Sequence, residues 1–168
     1  MASRPAAPTV TADEFQFALR QIASPVGIIT AQSGKVQEGL TATAIGFVTA
    51  EPPTMLVCIN RDTPLEKLIA ESGAFAVNFL SQEQFRLAHL FTTGSSAQER
   101  FDKGAWNTIV TGSPILDQSA ASFDCELEET VGVGTHNVHI GRIVGVVANE
   151  QEILLHRDGL LRRIMPLI

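Results

Sequence analysis

The chain has no tyrosine, one tryptophan and two cysteines, and only 12 lysines and arginines against 18 acidic residues. Each scarcity excludes something. Cys58 and Cys125 both sit in apolar stretches, so two buried thiols are expected rather than a disulfide framework. That usage fits a reducing compartment, and a cytoplasmic location is expected. A formal net charge of -6 and a pI near 5.1 exclude a broad nucleic-acid or anionic-membrane surface, since both need clustered basic residues. A local basic pocket for one phosphate stays open. No apolar run approaches the ~18 residues of a membrane-spanning helix. Met1 to Pro8 has alanine and proline but no apolar core, so it does not read as a secretory signal. With one tryptophan and no tyrosine, a flat ligand could be gripped strongly by aromatics only if Trp106 or a phenylalanine contributed.

What is present is ordinary globular material: 168 residues, 45% apolar and 18% charged, enough for one domain with a core. Residues 1–10 are expected to be a disordered tail and 11–168 a single domain. Thr11-Ala12-Asp13-Glu14 is a capping box, with Val10 and Phe15 placed as a hydrophobic staple. A helix of about three turns should follow and stop at Pro25. Val26–Ala31 reads as a strand and Ser33-Gly34 as a turn. Val36–Thr49 should be strand interrupted near its middle, with Pro52-Pro53 before the strand Met55–Asn60. Thr63-Pro64-Leu65-Glu66 is a second capping box, opening a helix that ends at Gly73. Ala74–Leu80 is a strand. Ser81–Gln84 opens a third helix, and Thr92–Trp106 is a polar loop with a helical turn near Glu99. Phe123, Cys125 and Leu127 alternate with acidic residues, as in a half-buried strand, and Asn137–Ala148 is a long one. Asp158-Gly159 is a hairpin turn. Strands that do not alternate regularly with helices favour a mostly antiparallel barrel with outer helices.

The chemistry-bearing segments each admit two readings. Gly39-Leu40-Thr41-Ala42-Thr43-Ala44 is a run of small and hydroxyl residues between apolar segments. It is either an edge strand packed under a helix or a surface open enough for a flat anionic cofactor such as a flavin. Asn60-Arg61-Asp62-Thr63 is either a plain helix cap or an anion site at a helix N-terminus. Gly132-Val133-Gly134 lacks the third glycine and precedes a strand, so the Rossmann mechanism does not apply. His136 and His139, three apart on a strand, should face opposite sides and cannot chelate together. His89 and His156 read as structural or surface residues, and no metal site is expected. No Gly-x-Ser-x-Gly elbow is present. His136 follows a glycine-rich turn, so its ring can project over a barrel mouth.

Taken in order, these pieces resemble the flavin reductase family, the small NAD(P)H:flavin oxidoreductases of two-component monooxygenase systems. The resemblance runs through Phe15–Arg20, Val26–Thr30 and Gly39–Ala44, then Pro52-Pro53, Leu56–Arg61 and Ser72–Ser81. Glu99-Arg100-Phe101 before Trp106, and Gly134, His136 and Gly141, complete it. It implies a mainly β fold with flanking helices, a split β-barrel of the FMN-binding type, and a homodimer with flavin near the subunit interface. It implies Leu40, Thr41, Ala42, Thr43 and Ala44 along the flavin ring and ribityl chain. Asn60, Arg61, Thr63 and Arg100 would lie toward the phosphate, and His136 by the nicotinamide. The cofactors would be FMN or FAD, with NADH or NADPH as electron donor and a flavin-dependent monooxygenase as partner. The family often has Asp where Thr135 stands and Tyr in the C-terminal hairpin, where this chain has His156 and Leu160.

Hydride transfer between two bound cofactors needs alignment by the protein rather than an acid–base dyad. Two rival readings stand beside the reductase: a flavin carrier or sensor without turnover, and a split-barrel reductase acting on another acceptor. A barrel that serves only as an interaction module is a third.

Overall fold

The computed structural model describes residues 9–92 and 94–167. Met1–Pro8, most of the expected tail, lie outside the described residues. The first helix, α1 (Ala12–Leu19), carries the expected capping box: the Thr11 hydroxyl accepts from the Glu14 N–H, and the Glu14 carboxylate accepts from the Thr11 N–H at 2.9 Å. Val10 and Phe15 are both exposed, so no staple closes over the box.

The strands follow as β1 (Ser24–Pro25), β2 (Gly27–Ser33), β3 (Val36–Ala42), β4 (Ile45–Ala50) and β5 (Pro53–Asn60). Helix α2 (Pro64–Ser72) starts from Thr63 and ends at Gly73, whose φ of 67° is the left-handed stop that a glycine adopts without steric cost. Next come β6 (Ala74–Phe79), a short 3₁₀ turn at Gln82–Gln84, α3 (Phe85–Leu90) and α4 (Ala97–Phe101). Two short strands, β7 (Trp106–Asn107) and β8 (Ile115–Leu116), pair with each other and had no sequence signal. The chain closes with β9 (Ala121–Val133), β10 (His136–Ala148), β11 (Leu155–Arg157) and β12 (Leu160–Arg162).

Seven strands form one antiparallel sheet in the order β3-β2-β6-β9-β10-β5-β4. Its two edges, β3 and β4, are consecutive in the chain and joined by Thr43 and Ala44 alone. Three steps along the chain from Ala42 to Ile45 reach only ~10 Å, so the sheet must curl until its edges meet at that end. No hydrogen-bonded pairing joins β3 to β4 among the described residues, so the sheet is not a closed barrel. Among those residues no helix is long and apolar enough to cross a membrane.

Inside the curl, Ile29, Met55, Val57, Ile59, Phe75, Val77 and Cys125 form the main core, plugged by Leu65, Leu68 and Ile69 of α2. A second cluster, including Val26, Ile28, Ala88, Phe91 and Phe101, lies outside the sheet under α3 and α4. β2 from Gly27 to Ala31 and all of β6 are therefore buried on both faces.

Asp124 departs from the half-buried strand expected for this stretch. It is fully buried, and its carboxylate accepts from the backbone N–H groups of Val110 (2.9 Å) and Thr111 (2.8 Å). The strand thus holds down the segment before β8 with a charged side chain. Cys125, on its other face, is fully buried, and burial with the Asp124 charge pushes its thiol up to about 12. It is inert, as expected.

Candidate functional site

A cavity of ≈ 510 Å³ opens where the edges of the sheet meet. Its floor is Leu40, Thr41, Ala42, Thr43 and Ala44. Bulkier residues would fill it. The floor is pinned from both sides: the Thr41 N–H donates to the Phe91 carbonyl at 3.3 Å, and Thr41 Oγ1 donates to the Ala88 carbonyl at 2.8 Å. On the other side the Cys58 N–H donates to the Ala44 carbonyl at 3.0 Å. Packing under a helix and an open surface, offered by the sequence as alternatives, are both present in the same residues.

The second wall is the end of β5 with the start of α2. Asn60 and Thr63 line the cavity. The Thr63 hydroxyl caps α2, accepting from the Glu66 N–H at 3.3 Å. A helix N-terminus here offers the positive end of the helix dipole beside a hydroxyl and an amide. His136, the first residue of β10, sits directly across from Asn60 in the strand register. Its Nδ1 is bound to Thr135 Oγ1 at 2.8 Å, which leaves Nε2 as the ring nitrogen for a ligand.

Three sequence expectations need correction. Cys58 is not a core thiol: it is half-buried and lines the cavity. It belongs to the outward-facing row of β5, with Leu56 and Asn60. His89 and His156, expected to be structural or surface residues, both line the cavity too. Only the tertiary fold brings α3 and the β11–β12 hairpin to this spot, so no spacing in the chain announces it. His136 and His139 do face opposite sides: His136 is exposed, His139 fully buried.

Arg61 and Arg100 do not line the cavity. The Arg61 Nε–H donates to Asn137 Oδ1 at 3.0 Å. Arg100 is ion-paired with Glu38 of β3 at 2.7 Å and lies over the Phe91 ring. It ties α4 to the strand that carries the floor. Among the described residues the lining contains no lysine or arginine.

Volume and donor set fit a flavin. The cavity falls in the ~300–1,000 Å³ range of small-ligand sites. It is mostly apolar, with hydroxyls and an amide grouped at one end.

Comparison with known proteins agrees with this geometry. The family model described as "Flavin reductase like domain" matches residues 19–165. The chain belongs to that family. An FMN reductase (NADH) RutF of Stutzerimonas stutzeri (strain A1501) is 38% identical over 137 residues, covering 82% of this chain and 79% of the relative. A solved structure from Haemophilus somnus 129PT, provisionally named a flavin reductase, superposes with a TM-score of 0.89 at 36% identity. It covers 92% of this chain and 100% of that one. A nitrilotriacetate monooxygenase component B homolog from Mycobacterium thermoresistibile gives 0.83 at 29% identity, with 92% and 88% covered.

Proposed function

We propose that this chain is an NADH-dependent reductase of free FMN that hands reduced flavin to a partner oxygenase. The observation that carries the reading is the cavity floored by Leu40–Ala44, at the point where the sheet's edges meet. FMN and NADH are favoured over FAD and NADPH because similar relatives are named FMN reductase (NADH). The lining also offers no lysine or arginine for an extra phosphate. The partner follows from the likeness to a monooxygenase component B. A cytoplasmic location is read from the two free thiols.

A bound flavin supplies the redox chemistry, accepting hydride from the nicotinamide. The protein's share is alignment. Thr41, Ala42, Thr43 and Ala44 let a flat ring lie against the backbone, with Leu40 at its edge. Asn60 and Thr63, at the start of α2, face the phosphate. His136 offers Nε2 to the nicotinamide carboxamide. Arg61 and Arg100 serve by holding the walls rather than by touching phosphate.

We read the curled sheet as a split barrel and the functional unit as a homodimer. Helix α1 has eight residues and buries none of them, although so short a helix is marginal in water by itself. Phe15, Phe17 and Leu19 are at least half exposed on it. A second copy is the cover these residues call for.

Quenching of FMN fluorescence tests the site. Wild-type protein should bind FMN saturably, and Thr43→Arg should abolish binding while its circular dichroism is unchanged. Normal binding by a folded Thr43→Arg would contradict the placement.

A further inference from the structure

Behind the wall that carries Asn60 and His136 lies a connected set of polar side chains with no role in the cavity itself. Glu66 occupies the third position of α2, where a capping-box glutamate returns to the cap residue's N–H. Its carboxylate goes elsewhere: Oε1 accepts from Asn137 Nδ2. Asn137 in turn accepts from the Arg61 Nε–H at 3.0 Å. The Glu66 carboxylate also lies 3.8 Å from Nε2 of the fully buried His139, whose Nδ1 is held by Thr130 Oγ1 at 3.0 Å. Asn137 and His139 share the inward face of β10, opposite the face of His136.

Two backbone facts tie this set to the cavity. The Arg61 N–H donates to the Thr135 carbonyl at 3.1 Å, next to His136. Gly132 leaves the room the guanidinium uses, since a Cβ there would collide with Arg61 Nη2. The chain has given up a helix-cap bond and placed a glycine to keep this arrangement.

We propose that Glu66, Asn137 and Arg61 form a clamp that fixes the β9–β10 hairpin against the β5–α2 turn, making Asn137 and Arg61 positioning residues for His136. The inference rests on the reading of His136 as a nicotinamide-side residue. The clamp acts on the two strand ends that must stay in register for Asn60 and His136 to face one ligand.

Reversing the polarity of one link tests it. Asn137→Asp sets two carboxylates against each other and should raise the NADH KM about threefold, no more than His136→Ala does, with FMN affinity and melting temperature near wild type. Adding Glu66→Gln restores a donor–acceptor pair, and the double variant should recover most of that loss. In a His136→Ala background, Asn137→Asp should add nothing further. Equal losses in the double variant, or additive losses with His136→Ala, would overturn the clamp. A readout free of turnover is the His136 ring signal in proton NMR. It should shift and broaden in Asn137→Asp while the His89 and His156 signals hold still. An unmoved His136 signal sinks the clamp. If that signal moves but His136→Ala leaves the NADH KM unchanged, the clamp stands and the nicotinamide-side reading fails.

Discussion

At the scale of single residues, the site divides into groups that face the cavity and groups that hold them. Residue type is a poor guide to which is which. An arginine before a helix start suggests anion binding and the family resemblance adds Arg100, yet Arg61 and Arg100 spend their guanidinium groups on Asn137 and Glu38. Two histidines that no motif distinguishes, His89 and His156, line the cavity beside His136. Threonine and alanine at 41–44 were readable because small residues there leave room that only a ligand or a close backbone can use. His136→Ala should raise the NADH KM several-fold with little change in fold, as steady-state kinetics would show. An unchanged KM removes His136 from the site. His139 makes a separate prediction. Burial holds its pKa below the ordinary value of 6.5, and the Glu66 charge only partly offsets this. The unfolded chain therefore binds a proton that the folded chain refuses. Stability is full above pH ~6.5 and falls as pH drops toward the depressed folded value. Thermal melts between pH 7.5 and 5.5 should show that slope, and His139→Gln should flatten it.

At the scale of elements, local signals served well where the physics is local. The capping box of α1, the Thr63 half of the one expected for α2, the interruption after β3 and the Asp158-Gly159 turn were legible. So was the left-handed stop at Gly73. The signals failed where a side chain is recruited by something distant in sequence. Glu66 leaves its cap for Asn137, and Asp124 turns inward to hold the segment at 110–111. Deleting that carboxylate leaves two part-buried N–H groups without their acceptor, so Asp124→Ala should cost roughly 3 kcal/mol. In a chain of this length the melting temperature should then fall by roughly 6–12 °C. The glycine of β10 at 141 is set by contact rather than by turn geometry. A Cβ there would stand 2.7 Å from two Phe75 ring carbons and 3.0 Å from Cys125 Cβ. Gly141→Ala should destabilise by about 1–3 kcal/mol through overpacking. A melt at wild-type temperature would show that the Phe75 ring yields.

At the scale of the whole molecule, a mainly antiparallel architecture followed from the irregular mixing of strands and helices. The strand order did not, because pairing partners such as β6 and β9 lie far apart in the chain. That order decides where the cavity lies. It makes β3 and β4 the two edges, joins them by two residues, and so puts a run of small residues at the mouth of a curled sheet. The exposed apolar residues of α1 belong to this scale too, Phe15 and Leu19 on one face and Phe17 on the other. Sedimentation should report a dimer for the wild type, and Phe17→Asp should shift it toward monomer. A wild-type monomer would leave these residues unexplained.

The central claim is that this cavity aligns a diffusible flavin with NADH. NADH oxidation followed at 340 nm, with purified protein and rising free FMN, tests it most directly. The account predicts a rate that is low without flavin and saturates as FMN is added. A rate that ignores added FMN while the protein demonstrably binds it would contradict the account and leave a carrier in its place.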